Sequence, residues 1–355
     1  GIGAANITYS DFNRDGKIDL TGANGGSAQL LLMENRSTTG ALVVPGTFGS
    51  FSTEFTIAKP AAGGGIASAD FDADGLPDVV VTNPDSDNLS IFPNANATRV
   101  NSATFGVRID IPTGDNPGRV YTGDFDDDNR LDLLIYHGTG TNPTLLSVFQ
   151  NQSTPGNFSF NRIDLTNPSA ATVATIADLD GDGKPEIITT SETGNRFSIF
   201  KNIHPGGALS ASSFAAPFNT TVTAPRGLTT GDLNLDGKPE IILTRAAGFL
   251  LVYQNLIANP TITSFLPASG PVGTQVVITG TNFSPTTTDN SIQFNGITAY
   301  VVSSTSTTIT TIVPPGATTG PISVTVNNNT ATSASNFTVT PFICPPVARQ
   351  GGDLD

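Results

Sequence analysis

One nine-residue acidic motif occurs five times in this chain, and its spacing constrains the fold more than any other feature. DFNRDGKID starts at Asp11, DFDADGLPD at Asp70, DFDDDNRLD at Asp124, DLDGDGKPE at Asp178 and DLNLDGKPE at Asp232. Successive starts lie 59, 54, 54 and 54 residues apart. A fixed period of this size is that of stacked or radially arranged supersecondary units, each burying its apolar face against the next.

Every copy places side-chain oxygens at motif positions 1, 3, 5 and 9. The candidate metal ligands are Asp11, Asn13, Asp15 and Asp19; Asp70, Asp72, Asp74 and Asp78; Asp124, Asp126, Asp128 and Asp132; Asp178, Asp180, Asp182 and Glu186; and Asp232, Asn234, Asp236 and Glu240. Carboxylates crowded this closely repel one another unless a cation sits between them. Hard oxygen donors at alternate positions, with a backbone carbonyl near position 7, suit Ca²⁺, which takes about six to eight oxygens. Up to five structural Ca²⁺ ions are therefore expected. Gly16, Gly75, Gly183 and Gly237 at position 6 permit the sharp turn, and Asn129 in the third copy also tolerates a left-handed backbone. The third loop, and the first and fifth with Asn at position 3, are expected to bind most weakly. Solvated acidic turns would account for one copy but not for five in register.

The charge balance agrees. Of 30 acidic residues 18 are loop ligands, and five Ca²⁺ would move the net charge of the 355-residue chain from −14 to −4. Acidity here is a metal-site signature and not an adaptation to a basic partner. With only 16 Lys and Arg, the chain lacks the basic face that nucleic-acid binding needs, and an anionic membrane surface would repel it. No apolar run approaches the ~20 residues of a spanning helix, so membrane insertion is not expected. Cys344 is the lone cysteine, which rules out a disulfide framework. The polar, Lys-poor composition suits an extracellular location, secreted or at the cell surface. Gly1 opens directly into strand-like sequence, as in a mature form or a fragment.

The flanks repeat with the loops. Ile7, Ile66, Val120, Ala174 and Leu228 stand four residues before each loop, and Ser10, Ala69, Gly123, Ala177 and Gly231 immediately before it. Position 2 is Phe12, Phe71, Phe125, Leu179 or Leu233, an apolar anchor expected to turn inward. β-Rich runs such as DVVVTN, DLLIYH and EIITTS follow, and then a second run ending in Asn: LLLMEN, LSIFPN, LSVFQN, FSIFKN and LLVYQN. A further strand follows in the first four units. Each unit is thus predicted as about four antiparallel strands with the acidic loop joining the first to the second, the blade of a β-propeller. Helical periodicity is missing throughout.

These loops, with the triplets Thr47-Phe48-Gly49 and Thr104-Phe105-Gly106, resemble the FG-GAP or VCBS repeats of integrin-like β-propellers over residues 1–258. The resemblance implies loops that bind Ca²⁺ structurally and propeller faces that present binding loops. It also implies more blades, often seven, where this region holds five units and the fifth ends at Asn255 without an outer strand. Either the chain is part of a longer protein, or another segment completes the array.

After residue 258 the period and the acidic loops stop. Residues 259–341 alternate Val, Ile and Thr between Gly and Pro punctuation and are predicted as an all-β sandwich. Pro267 to Gly273, Ile278 to Phe283, Phe294-Asn295-Gly296, Val313 to Gly316 and Asn336 to Val339 resemble an IPT/TIG immunoglobulin-like domain. The domain carries no Lys or Arg, which argues against DNA binding, and the resemblance implies a spacer role. Residues 342–355 read as a linker or tail.

Catalytic chemistry finds little support. His137 and His204 fall in loops or turns and read as surface residues, with no G-x-S-x-G nucleophile elbow to accompany them. Cys344 has no indicated partner. The expected function is a non-catalytic, calcium-stabilised binding or adhesion module with a protein or glycan ligand. The alternatives are a structural subunit of an extracellular stalk or filament that contacts identical subunits, or the non-catalytic region of a secreted hydrolase. Sequons, as at Asn6, Asn35, Asn88, Asn151, Asn219, Asn282 and Asn336, arise readily in an Asn- and Thr-rich chain.

Overall fold

Each acidic loop reverses the chain between two β-strands, and this hairpin starts every unit of the repeat region. The computed structural model describes residues 4–24, 29–35, 55–58, 64–95, 98, 100–101, 103–138, 140–235, 237–256, 259–326 and 329–341. Blade one comprises Ala4–Ser10, Asp19–Asn24, Gln29–Met33 and Phe55–Ala58, paired in sequence order. Blade two is Ile66–Ala69, Asp78–Asn83, Asn88–Phe92 and Ile109–Pro112; blade three is Val120–Gly123, Asp132–Tyr136, Leu145–Asn151 and Phe160–Thr166. Blade four runs Val173–Ala177, Glu186–Ser191, Arg196–Phe200 and Phe218–Thr221. Blade five has Pro225–Gly231, Glu240–Arg245 and Leu250–Tyr253, and among the described residues no fourth strand pairs with it. All pairings are antiparallel, as short connections between consecutive strands require. The Thr47-Phe48-Gly49 triplet lies outside the described residues, as do Cys344 and the rest of 342–355.

The second strands of blades two to four are buried on both faces, because each of these blades is packed between two others. Asp78–Asn83 and Glu186–Ser191 are buried at every position. The apolar cores therefore lie between blades. One core joins Phe71, Val80, Leu89 and Ile91 of blade two to Val120, Leu133, Ile135 and Phe149 of blade three. The next joins Phe125, Leu134, Leu146 and Val148 to Ala174, Ile187 and Phe200. First strands of neighbouring blades run close enough for side chains to bond, as Thr8 Oγ1 does with Ser68 Oγ at 2.9 Å. That closeness explains their small residues: a Cβ added at Gly65 would stand 2.5 Å from Arg119 Cα.

A buried hydroxyl ties the third strand to the fourth. Ser90 Oγ donates to Asp110 at 2.6 Å, Ser147 Oγ to Asp164 at 2.8 Å and Ser198 Oγ to Asn219 at 2.7 Å. Blades one and five have Leu31 and Leu251 at this position, although blade one does pair a fourth strand.

The second unit of the chain, which follows Asn255, is a two-sheet sandwich. Thr261–Leu266, Gln275–Thr281, Thr308–Ile312 and Val301–Ser304 form one sheet. Ser269–Gly270, Asn329–Val339, Gly320–Val326, Asn290–Phe294 and Ile297–Ala299 form the other. Burial alternates strictly along Gln275–Thr281, so that Val276 and Ile278 face inward while their neighbours meet solvent. Phe294 and Phe337 meet edge to face at 5.2 Å in its core.

Candidate metal centres

The acidic loops owe their shape to backbone N–H groups captured by their own side chains. At position 1, Asp70 accepts from Asp74 N at 3.1 Å and Gly75 N at 2.8 Å; Asp11 and Asp124 accept from the matching amides. Position 3 accepts from the amide of position 5, at 3.2 Å in Asp72. Position 5 accepts from the amide of position 7, at 2.7 Å in Asp74 and 2.9 Å in Asp128. Two residues per loop pay for this winding with a left-handed backbone. Position 6 is one, with Asn129 at φ 65° in the third copy. Position 4 is the other, as Arg14, Ala73, Asp127, Gly181 and Leu235 all have positive φ.

The position 9 carboxylate is the deepest group of each loop. Asp19, Asp78 and Asp132 are at most 1% exposed and Glu186 and Glu240 are 2% exposed. One carboxylate oxygen accepts from the amide of position 2, at 3.1 Å from Phe71 to Asp78, 2.9 Å from Phe125 to Asp132 and 2.8 Å from Leu233 to Glu240. The other accepts from the amide of the Asn that follows the third strand or closes it: Asn35 to Asp19, Asn94 to Asp78 and Asn151 to Asp132, at 2.7 to 2.8 Å. Burial pushes Asp78 and Asp132 up to about 7 and Asp19 to about 6, against the backbone N–H groups that oppose the rise. Neighbouring loop carboxylates add to it.

Three loops bring positions 1, 3 and 9 together. Donor oxygens of Asp70, Asp72 and Asp78, of Asp124, Asp126 and Asp132, and of Asp178, Asp180 and Glu186 lie within 4.8 Å of one another in each set. The position 5 residues Asp74, Asp128 and Asp182 fall outside these sets, and Asp128 takes an ion pair with Arg130 at 3.0 Å. In the first and fifth loops Asn13 and Asn234 occupy position 3, and Asp236 lies outside the described residues. Two carboxylate oxygens in the loops, Asp126 Oδ1 and Glu240 Oε1, are buried without any hydrogen-bond partner. A buried unpaired carboxylate oxygen is costly, and a bound cation removes the cost. Donor chemistry, convergence and these orphaned atoms together fit a hard divalent cation.

The run-ending asparagine has a second role that the sequence pattern displayed but did not explain. Its side-chain amide crosses to the preceding blade and donates to the carbonyl of position 2 there. Asn94 reaches Phe12 at 2.9 Å, Asn151 reaches Phe71 at 2.8 Å, Asn202 reaches Phe125 at 2.8 Å and Asn255 reaches Leu179 at 2.6 Å. One residue thus caps its own acidic loop and latches its blade to the neighbour. The position 2 side chains fill the cores beside these latches, with Phe12, Phe71 and Phe125 fully buried and Leu179 at 8%. Leu233 is the departure: at 58% exposure it does not turn inward, because among the described residues no further blade covers it.

The histidines are not the surface residues their loop positions suggested. His137 is fully buried, its Nδ1 donating to the Asp115 carbonyl at 2.8 Å and its Nε2 3.1 Å from Ser147 Oγ; burial holds its pKa below the usual range. His204 is 1% exposed and pairs through Nδ1 with Ser213 Oγ at 3.0 Å. Near His137, at the strand ends opposite the acidic loops, a cavity of about 350 Å³ is lined by Pro84, Asn116, Pro117, Tyr136, Ala171 and Thr193 among others. Loops of blades two, three and four build it, and no sequence motif announced it.

The family profile of the FG-GAP-like repeat matches residues 11–81, 70–135 and 178–243. This chain belongs to the FG-GAP-like repeat family. The IPT/TIG domain profile matches residues 260–340, so the FG-GAP region is followed by an immunoglobulin-like sandwich of that kind. No curated protein matches the chain. Among solved structures, a putative phosphatase from Bacteroides thetaiotaomicron is 29% identical over 23% of this chain and 18% of its own, with a TM-score of 0.23. An auxiliary nutrient binding protein from Bacteroides ovatus is 24% identical over 23% of this chain and 20% of its own, with a TM-score of 0.22. The FG-GAP chain thus spans about a fifth of the length of these two structures. A protein from Lactobacillus plantarum is 14% identical over 86% of this chain and 87% of its own, with a TM-score of 0.38.

Proposed function

We propose that this FG-GAP chain is a non-catalytic binding and adhesion module that works outside the cell, stiffened by Ca²⁺ in its acidic loops. The observation that carries the reading is the convergence of positions 1, 3 and 9 to within 4.8 Å in three successive units. A catalytic metal would occupy one odd copy with an open coordination position; ligand sets repeated from blade to blade serve the scaffold. Extracellular Ca²⁺ is abundant enough to fill such surface loops, which suits a chain whose 18 loop acids need neutralising. When bound, the ion supplies positive charge to carboxylates that otherwise repel. The residues of this chain do the rest: position 9 holds the loop to its own blade, and the strand-ending Asn holds that blade to the one before it.

Ligand is taken at the strand ends opposite the metals, where a cavity of about 350 Å³ opens beside Tyr136. Its lining is uncharged and rich in Pro, Ala and Gly, which suits an apolar or aromatic group of a protein ligand or a neutral sugar face. With a net charge of −14, nucleic acid is not a partner. Calorimetric titration with Ca²⁺ after exhaustive chelation tests the metal half of the reading. Several ions bound per chain, with a rise in melting temperature, are expected; one ion or none, or a melting curve indifferent to chelator, would reject it.

A further inference from the structure

Position 3 of an acidic loop turns one side-chain atom into the loop and one toward the surrounding protein, and those surroundings differ between blades. In blade three the inner atom is Asp126 Oδ1, buried without a partner, while Oδ2 accepts from Gln150 Nε2 at 2.6 Å. Gln150 is 5% exposed and is itself held by Leu209 N, which donates to its Oε1 at 3.2 Å. In blade two Asp72 Oδ1 accepts from Asp74 N within the loop, and Oδ2 accepts from Gly156 N at 2.6 Å. Blade one reverses the polarity. Asn13, 6% exposed, keeps Oδ1 in the loop, where it accepts from Asp15 N at 3.2 Å, and its Nδ2 donates outward to Glu34 Oε1 at 3.3 Å. Glu34 and Gln150 hold the same place, immediately before the strand-ending Asn. The pairs Asn13–Glu34 and Asp126–Gln150 are one contact with amide and carboxylate exchanged.

We propose that Glu34 is a positioning residue of the first metal centre and restores to it the charge that Asn13 lacks. An Asn amide has one end that can ligate a hard cation and one that repels it. A carboxylate only accepts, so Glu34 holds Nδ2 outward and leaves Oδ1 turned to the loop. Its negative charge lies one hydrogen bond from a ligand, and partners at that remove orient ligands and tune the metal. The first loop therefore binds Ca²⁺ more tightly than its own four ligands account for. The fifth loop has Asn234 at position 3 and Gln254 before Asn255, two neutral amides, and gains no such charge. This rests on the calcium reading and adds to it a residue that lies outside the nine-residue motif.

The test follows the loops separately by NMR as Ca²⁺ is added to the whole chain, the Gly16 amide reporting loop one and the Asn129 amide loop three. Glu34→Gln should weaken Ca²⁺ binding at loop one about tenfold and leave loop three unchanged. Glu34→Ala repeats the measurement should that variant fail to fold. A double-mutant cycle separates positioning from a merely structural contact. Asn13→Asp should tighten loop one in the Glu34→Gln chain, where the new carboxylate meets a donor as Asp126 does, and the gain in the parent chain should be smaller by about fivefold or more. An unchanged Gly16 titration in Glu34→Gln, or an equal gain from Asn13→Asp in both chains, would overturn the proposal while the calcium reading stands. If no loop amide responds to Ca²⁺ in the parent chain, the calcium reading fails and takes this proposal with it.

Discussion

The side-chain amide of Asn151 donates to the carbonyl oxygen of Phe71 at 2.8 Å across the joint between two blades, while the main-chain amide of the same residue caps Asp132 of its own loop at 2.7 Å. A single asparagine therefore couples each metal loop to the interface with the preceding blade. Asn151→Ala is expected to destabilise the chain by about 1–3 kcal/mol, the cost of a buried carbonyl left without its donor. Urea unfolding in saturating Ca²⁺ measures it; a loss no larger than that of an exposed substitution would show the latch to be incidental.

The position 2 anchors separate interior from terminal blades. Phe125→Ala removes a fully buried ring that meets Phe214 edge to face at 5.6 Å and should cost about 3–5 kcal/mol. Leu233→Ala, at the same place in blade five, should change stability in dilute solution by no more than about 0.5 kcal/mol. Equal losses at the two positions would mean that Leu233 is covered in the free chain.

Stability should respond to pH in opposite senses with and without metal. Asp78 and Asp132 stand at about 7 and Asp19 at about 6, above the ordinary carboxylate value, chiefly through burial. A group raised in the folded state stabilises it below the unfolded pKa of about 4 and loses that contribution as pH climbs through the folded value. In chelator, the melting temperature is therefore expected to fall between about pH 5 and pH 8. In Ca²⁺ the fall should vanish or reverse, since the ionised carboxylates are the metal-binding form. A chelated chain equally stable at both ends of this window would contradict the assignment.

Leu235 sits at position 4 of the fifth loop with φ 61° and 88% exposure. A branched residue in the left-handed region is strained, and no burial offsets it here. Leu235→Gly should raise stability by about 0.5–1 kcal/mol, the relief exceeding the added freedom of the unfolded chain. Thermal melting against the parent chain decides the sign.

The repeat and its blades were legible because ligand spacing, β-rich runs and small first-strand residues all follow from local chemistry repeated in register. The sandwich was legible for the same reason, since alternation along Gln275–Thr281 marks one buried face. The latch was not. LSVFQN shows that a run ends in Asn, but which carbonyl Asn151 meets depends on the residue 80 positions earlier, Phe71, being brought beside it by the stacking of blades. The burial of His137 likewise comes from chain that is remote in sequence, the Asp115 carbonyl above all. Leu233 shows the limit of reading a repeat by analogy: its motif position is identical to that of Phe71, yet it is exposed where Phe71 is buried, because burial is set by a neighbouring blade and not by the motif.

The sandwich has neither Lys nor Arg, and this sets where proteolysis can begin. Proteases that cut after basic residues find no cleavage point in the sequence between Arg245 and Arg349. In a medium rich in trypsin-like enzymes, nicking would be confined to the repeat region and the tail, and within the repeats the Arg130 and Arg162 side chains are engaged with Asp128 and Asp164. A sandwich without basic residues offers such enzymes no cleavage point, so it outlasts nicking that reaches the repeats.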